Sequence, residues 1–316
     1  MAPFLSRSGA TSVRRSVHRR CITATSRRRR HASRTRYTFG MTTSSVLYRP
    51  SQFTAPILSG PRYSLVVSTE PSVRTAAQRL RHRVFANEPG FRLPDSGTGL
   101  DTDRFDEFCD HILVHDRVTG DVVGCYRMLL PEAAREAGGY YTATEFDLTA
   151  LDPHGRGLVE MGRACVDPAH RSGSVLTLMW AGILLYLEMT GHHEVVGCVS
   201  VPLRTTPDEP EASNVRGVRD LLLDRHAIEP ASRVRPLNPV VVDGHPLDEI
   251  APPPRPVVPP LLRGYLRLGA RICGEPAHDP DFGVADFVAI LAVDRADARY
   301  LARLRAVAER NEGGAR

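Results

Sequence analysis

Hydrophobic and polar positions alternate in several short segments, most clearly over residues 158–166. There Val159, Met161 and Cys165 tend to one face and Glu160 to the other, which is typical of a β-strand. Similar apolar runs, two of them joined by a turn at Thr119-Gly120-Asp121, predict further strands at 63–68, 112–114, 122–130, 194–201 and 286–293.

Other segments repeat their apolar residues every three or four positions, which predicts helices. The first begins with Pro71 in its first turn and ends before Pro89-Gly90. A long apolar helix follows from about 175 to 190, and shorter ones are predicted at 218–226, 260–272 and 295–310. This order of elements predicts an α/β sandwich, in which helices flank a mixed central sheet on both sides.

Composition divides the chain into a leader (1–45), an α/β core (46–205) and an extension (206–316) that completes the same core. Residues 1–40 contain eleven Arg and no Asp or Glu, and removing them leaves 30 basic against 36 acidic residues. The net charge of +5 therefore comes from the leader, whereas the rest of the chain is mildly acidic.

The leader is too polar to form a core, so its composition predicts disorder. Three interpretations stay open: an upstream start with Met41 as the true first residue, a transit or membrane-surface segment, and non-specific nucleic-acid binding. No apolar stretch approaches the roughly 18 residues that span a bilayer. We therefore expect a cytoplasmic protein, with at most peripheral contact to the inner membrane surface.

The six cysteines have no metal-ligand spacing and mostly lie in apolar runs, which favours reduced core residues. A nucleophilic role for Cys165 or Cys198 is an alternative. Asp101 and Asp103 begin like a calcium loop, but Phe105 occupies the next ligand position. We expect no metal site and no bound cofactor.

Charged residues interrupt two of the apolar strands. Glu160 and Arg163 are three residues apart, so they meet on one face only if the strand bulges, which Gly162 permits. A second charged cluster lies upstream: Asp101, Asp103, Asp106, Asp110 and Arg127. Because buried charges are costly unless paired or used, ions of both signs on neighbouring strands suggest a site for a charged substrate.

The turn Arg171-Ser172-Gly173 joins the Glu160 strand to the long helix. The start of a helix presents free backbone N–H groups at the positive end of its dipole, and Arg171 adds a charge. We expect Arg171, Gly173 and Ser174 to bind a phosphate such as that of phosphopantetheine. The alternative is an ordinary turn.

This strand, turn and helix resemble the acyl-thioester site of the GNAT acyltransferase superfamily. The charged signature resembles that of acyl-homoserine lactone synthases and of the related ornithine Nα-acyltransferases, which make lyso-ornithine lipid: Arg81, Phe85, Asp103, Asp106, Arg127, Glu160 and Arg163. Segments 261–276 and 279–287 are similar to the ornithine branch, whereas lactone synthases end sooner. Phe91, where lactone synthases usually carry Trp, and His278, where Trp is expected, depart from the pattern.

The resemblance implies a GNAT-like three-layer sandwich with a C-terminal α/β extension. It implies an enzyme that moves a (3-hydroxy)fatty acyl group from acyl carrier protein to the α-amine of ornithine or a similar amino acid, the first step of ornithine lipid synthesis. The expected partners are the acyl carrier protein and the amino acid, with no specific nucleic acid. The donor's phosphopantetheine arm takes the place of a cofactor.

The attacking amine must be neutral, so a base has to accept a proton, and Glu160 is the candidate, directly or through a water. Arg163 beside it completes the catalytic pair. Backbone N–H groups near Cys165 and Val166 are candidates to bind the thioester and stabilise the oxyanion.

The amino-acid acceptor carries a cationic side chain and a carboxylate. Asp103 and Asp106 are expected to bind the cation, and Arg127 or Arg163 the carboxylate. The alternative is a structural ion-pair network among these residues.

Arg81 and Phe85 belong to the substrate-binding set by resemblance. Arg81 and Arg83 could instead form a solvated helix face or dock the acidic carrier protein. Trp180 either packs in the core or lines an acyl tunnel. Two other functions stay open: a lactone-type signal synthase, which the extended tail disfavours, and a non-enzymatic nucleic-acid or membrane-surface binder.

Overall fold

A computed structural model describes residues 56–91, 97–206 and 208–312, so the predictions about the leader lie outside the described residues. Its strands are β1 (Leu58–Ser59), β2 (Tyr63–Ser68), β3 (Asp110–Asp116), β4 (Val122–Leu129), β5 (Phe146–Asp147), β6 (Val159–Val166), β7 (Glu194–Pro202), β8 (Arg235–Pro236), β9 (Val241–Val242), β10 (His245–Pro246), β11 (Arg271–Ile272), β12 (Ala277–Asp279) and β13 (Val284–Ala292). Its helices are α1 (Pro71–Phe85), α2 (Pro131–Glu136), α3 (Pro153–Arg156), α4 (Ser174–Thr190), α5 (Ser213–Arg225), α6 (Pro260–Leu268) and α7 (Ala298–Glu312).

Nine strands form one mixed sheet in the order β1-β2-β3-β4-β6-β7-β13-β11, with β12 also paired to β13. Neighbouring strands are antiparallel except β6 and β7, which are parallel. Leu113 packs with α1, whereas Ile112 and Val114 pack with α4. Because successive strand residues point to opposite faces, α1 and α4 cover opposite faces of the sheet. The predicted mixed sheet between helices is confirmed.

The predicted bulge is present in β6. Cys125 pairs with Cys165 and Arg127 with Gly162, so three steps on β6 match two steps on β4. Arg163 has a φ of 52°, which places it in the left-handed region that residues other than glycine seldom adopt. The extra residue changes the direction of the following side chains, and Glu160 and Arg163 line the same cavity.

The parallel strands β6 and β7 separate part-way along their length. Their pairing is limited to Val159 with Val195 and Glu160 with Val196. Beyond that point β7 continues to pair with β13 as far as Pro202, and β6 continues to pair with β4. The edge of β6 that faces β7 therefore has no strand partner in the described residues after Glu160, and a gap opens within the sheet.

The C-terminal third of the chain extends the same sheet, since β13 pairs with β7 along its whole length. The predicted helix at 218–226 begins earlier, at Ser213. The predicted helix at 260–272 ends at Leu268, because Gly269 adopts a φ of 101° and the next residues pair as β11.

We predict that Gly197→Ala destabilises the fold. A Cβ at Gly197 would lie 2.1 Å from the backbone oxygen of Met161, at the point where β6 leaves β7. Overpacking of this kind costs about 1–3 kcal/mol, and here the obstacle is backbone rather than a flexible side chain. Urea unfolding should show the loss. Gly162→Ala on β6 is the control, because a Cβ there meets nothing within 4 Å. Equal stabilities for the two variants would contradict the prediction.

Candidate active site

A cavity of about 540 Å³ occupies the gap between β6 and β7. Its walls come from the diverging halves of these strands, the end of α1, the turn before α4, and the β12–β13 hairpin. The volume is in the range of pockets that hold small organic ligands. The predicted residues that line it are Phe85, Arg127, Glu160, Arg163, Cys165, Val166, Arg171 and Gly173.

Glu160 lies at the last paired position of β6 and is only 5% exposed. The backbone N–H groups of Tyr141 and Thr142 donate to its two carboxylate oxygens at 2.7 Å each, and the Thr142 hydroxyl donates as well. Burial raises the pKa of Glu160 above its ordinary value, although these hydrogen bonds act in the opposite direction. The result is a fixed carboxyl group with an increased affinity for a proton.

Arg81 lies inside the protein rather than on a solvated helix face, with 1% of its surface exposed. Its Nε donates to Asp101 Oδ2 at 2.7 Å, and its Nη2 donates to Asp106 Oδ2 at 2.7 Å. The Gln78 side-chain amide donates a further hydrogen bond to Asp106, at 2.9 Å. Arg81 does not line the cavity, so the expectation that it contacts substrate or carrier protein is corrected: it anchors the aspartates.

Asp103 and Asp106 in turn hold two of the arginines that line the cavity, Arg127 and Arg163. Arg127 Nη1 donates to Asp103 at 2.6 Å and to Asp106 at 3.0 Å, and Arg163 Nη2 donates to Asp103 at 3.0 Å. Neither aspartate lines the cavity. The expectation that they bind the substrate's cation is therefore corrected, because their charges are neutralised by arginines.

Arg163 keeps a donor free in this network. Its Nε is buried and has no hydrogen-bond partner in the described residues. The guanidinium lies 5.3 Å from the ring centre of Tyr141 and 5.0 Å from that of Phe282. Two aromatic rings and Asp103 thus fix the group at the cavity wall, and one N–H is available to an acceptor.

The turn before α4 forms one end of the cavity. Arg171 and Gly173 line it, whereas Ser174, the exposed first residue of α4, does not, and its contact with the phosphate stays a prediction. Arg171 donates through Nε to the Val166 oxygen at 3.1 Å and pairs with Glu88 at 2.6 Å. A guanidinium and a helix start therefore lie side by side.

The rest of the wall is largely apolar. Phe85, Phe91 and Phe282 contact one another with ring centres 6.0–6.4 Å apart. Further apolar residues of the wall are Met161, Leu176, Met179, Val199 and Leu261. Trp180 is not among them: it is 4% exposed and stacks on Tyr265, with ring centres 5.7 Å apart, as core packing requires.

An acidic cluster at the cavity escaped the sequence analysis. Carboxylate oxygens of Glu145, Asp279 and Asp286 lie within 4.8 Å of one another, and the two aspartates line the cavity. Burial and the charge of Asp286 raise the pKa of Glu145 to about 9. Burial likewise raises the pKa of Asp286 to about 6. The available signal was Asp286 itself, a carboxylate inside the apolar strand β13.

The thiols at the cavity are poor nucleophiles. Burial raises the pKa of both Cys165 and Cys198 well above the ordinary value, so the thiolate is disfavoured. All five cysteines in the described residues are free. In the described chain, no helix combines the length and the apolarity that crossing a membrane demands.

Comparison with known proteins identifies the family of this chain. A family model described as an acetyltransferase (GNAT) domain matches residues 80–181. The L-ornithine N(alpha)-acyltransferase of Brucella abortus (strain 2308) is 35% identical over 255 residues, which cover 74% of this chain and 86% of that protein. The chain belongs to the L-ornithine Nα-acyltransferase family. The enzyme of the same name from Rhizobium meliloti (strain 1021) is 35% identical over 243 residues, covering 72% and 78%.

The predicted GNAT-like fold and the prediction of an acyltransferase are confirmed. Among solved structures, FeeM, an N-acyl amino acid synthase from uncultured soil microbes, is 14% identical with a TM-score of 0.43, covering 74% of this chain and 93% of that one. The acyl-homoserine lactone synthase BjaI is 15% identical with a TM-score of 0.41, covering 76% and 83%.

We predict that Asp106→Asn lowers the free energy of unfolding by about 3–5 kcal/mol, because it removes a buried counter-charge, one of the two that pair with Arg81 and one of the two that pair with Arg127. Chemical denaturation at pH 7 measures the loss. Glu107→Gln, an exposed neighbour, is the control. An Asp106→Asn variant as stable as the control would contradict the structural role.

We predict that wild type and Asp106→Asn also differ in how their free energy of unfolding depends on pH. Burial alone would raise the pKa of Asp106, but the hydrogen bond and charge of Arg81 outweigh it and the pKa is lowered. Its contribution is therefore complete above the unfolded value of about 4 and is lost as the pH falls below it. The stability gap between wild type and Asp106→Asn should narrow in acid.

Proposed function

We propose that this enzyme transfers a fatty acyl group, typically 3-hydroxyacyl, from acyl carrier protein to the α-amine of ornithine. Relatives that share about a third of its residues over most of their length are named for this acceptor. One observation carries the proposal: a buried carboxyl group, Glu160, faces the gap between β6 and β7, beside arginines and an apolar wall.

The gap suits the donor's phosphopantetheine arm. The unpaired edge of β6 offers backbone groups to an extended chain in the way that a sheet edge accepts a strand. The turn at Arg171 and Gly173 offers its charge and the start of α4 to the phosphate. The apolar wall then receives the acyl chain. Arg83, which is exposed on α1, is a candidate contact for the acidic carrier protein.

The acceptor's carboxylate is assigned to Arg163 and Arg127. Both guanidinium groups lie at the cavity wall and are held in place from behind by Asp103. The free Nε of Arg163 supplies a donor that the protein leaves unused. A carboxylate held here leaves the α-amine directed into the cavity, where Glu160 lies.

The reaction removes two protons from the α-ammonium and delivers one proton to the leaving sulfur. Glu160, directly or through a water, accepts a proton from the α-ammonium, and the neutral amine attacks the thioester carbonyl. Backbone N–H groups near Cys165 and Val166 stabilise the oxyanion. The C–N bond forms and the C–S bond breaks. The attacking nitrogen gives up its second proton, which passes to the leaving sulfur, and the proton on Glu160 is released to solvent. The product is an amide and the free thiol of the carrier, with no covalent enzyme intermediate.

The product would be an acylated amino acid with one long hydrocarbon chain. Because such a molecule partitions into bilayers, we include in the proposal that the enzyme works in the cytoplasm and contacts the inner membrane surface peripherally.

We predict that Glu160→Gln reduces ornithine acylation about 10²- to 10⁴-fold, the range for loss of a general base. The assay incubates the full chain with 3-hydroxyacyl carrier protein and ornithine and measures the acylated product by mass spectrometry. Urea unfolding checks that the variant is folded, since the amide loses the match to its backbone donors.

Glu249→Gln, an exposed carboxylate remote from the cavity lining, is the matched control. A folded Glu160→Gln enzyme with full activity would remove Glu160 from the role of base. Acylation of S-adenosylmethionine instead of ornithine by the wild type would overturn the proposed acceptor.

A further inference from the structure

The acidic cluster of Glu145, Asp279 and Asp286 differs from the buried aspartates on the other side of the site in its lack of ion pairs with arginine. Asp101, Asp103 and Asp106 are each within ion-pair distance of arginine. In the described residues no arginine or histidine forms an ion pair with any carboxylate of the cluster. Two aspartates of the cavity lining, together with Glu145 beside them, therefore lack an ion-pair partner in the described residues.

The cluster also has unused hydrogen-bonding capacity. Asp286 is 4% exposed, and one of its oxygens accepts a hydrogen bond from the Ser200 hydroxyl at 2.6 Å. Within the described chain no N–H group donates to Asp286, and its carboxyl group interacts with that of Glu145 through a hydrogen bond. Glu145 Oε1 is buried and accepts no hydrogen bond. Buried acceptors without donors are costly, so this arrangement calls for a ligand that brings N–H groups and positive charge.

We infer that Asp286 and Asp279, backed by Glu145, bind the side-chain ammonium of the amino-acid acceptor and set the enzyme's preference for a diamino acid. The inference rests on the proposed function and adds the residues that recognise the acceptor. An ammonium group offers three donors and one compact charge, which matches three converging carboxyl groups. Burial raises the pKa of both Glu145 and Asp286, so a bound cation would stabilise carboxylates that their surroundings disfavour.

The distance to the proposed base fits this acceptor. Glu160 Oε1 bonds to the Thr142 hydroxyl, whose oxygen is 3.7 Å from the Cys198 sulfur, which in turn is 3.9 Å from Glu145 Oε2. The distance between the carboxyl groups of Glu160 and Glu145 is therefore no greater than the sum of these three contact distances. An extended ornithine separates its two amines by roughly 6 Å, with a hydrogen bond of about 3 Å at each end. One molecule can therefore reach Glu160 with its α-amine and the cluster with its side chain.

The test compares ornithine with norvaline, which has the same carbon chain but no side-chain amine. The full-length enzyme and its Asp286→Asn and Glu145→Gln variants are assayed with acyl carrier protein substrate. Wild type should favour ornithine in kcat/KM by about 10³-fold or more, because norvaline leaves the carboxylates unpaired. Each variant should lower this ratio about 100-fold, mainly through the KM for ornithine.

Asp281→Asn is the control, an exposed carboxylate two residues from Asp279 that does not line the cavity, and it should keep the wild-type ratio. A loss in the cluster variants that is equal for ornithine and norvaline would overturn the inference and leave the proposed function intact. Dependence of the preference on a divalent metal, shown by its loss with a chelator, would also overturn it.

Failure of the proposed function has a different signature, namely no acylation of any amino acid by the wild type. Calorimetric titration with ornithine and norvaline then decides the inference separately. Binding of ornithine that Asp286→Asn abolishes supports the cluster as an ammonium site, and the absence of such binding overturns it.

Discussion

The separation of two parallel strands in one sheet determines the rest of this structure. A sheet normally satisfies its backbone groups by continuous pairing, but β6 and β7 stop pairing after Glu160 while each stays paired to its other neighbour. The gap is the cavity, and one of its walls is an unpaired strand edge. The bulge at Arg163 contributes to the same cavity, because it lets a carboxyl group and a guanidinium three residues apart both line it.

Buried charge is used in two ways around this gap. Behind one wall, three aspartates and three arginines neutralise one another and hold Arg127 and Arg163 rigidly at the surface of the cavity. At the other wall, the carboxylates of β12, β13 and the segment before β5 have no partner of opposite sign in the described chain. The ion pairs fix the positions of Arg127 and Arg163, and the carboxylates without ion-pair partners attract a cation. Together the two groups of charges orient a substrate that carries both a carboxylate and an ammonium group.

Local patterns in the sequence were sufficient to predict the six longer strands, the main helices, the bulge and the position of Glu160 and Arg163 in the bulged strand. The spacing of apolar residues and the glycine between two charged residues involve only positions that are close together in the chain. Such local features can be read directly from the sequence. The burial of Arg81 was not predictable in that way, because the helix carries several arginines and only the fold decides which of them meets Asp101 and Asp106.

The acidic cluster could not be predicted from the sequence for a related reason. Glu145 lies more than a hundred residues from Asp279 and Asp286, and the three meet only when β13 adds to the edge of β7. Asp103 and Asp106 were the more visible candidates, since they stand close together in the sequence. Their arginine partners, which come from α1, β4 and β6, make them supports of the site instead.

The most direct test of the account is a crystal structure of the full chain with ornithine and a non-hydrolysable acyl-pantetheine analogue. The account predicts the pantetheine arm between β6 and β7, the carbonyl of the analogue near the backbone of Cys165 and Val166, and the α-amine within hydrogen-bond distance of Glu160. An arm bound outside the gap, or an α-amine directed away from Glu160, would contradict it.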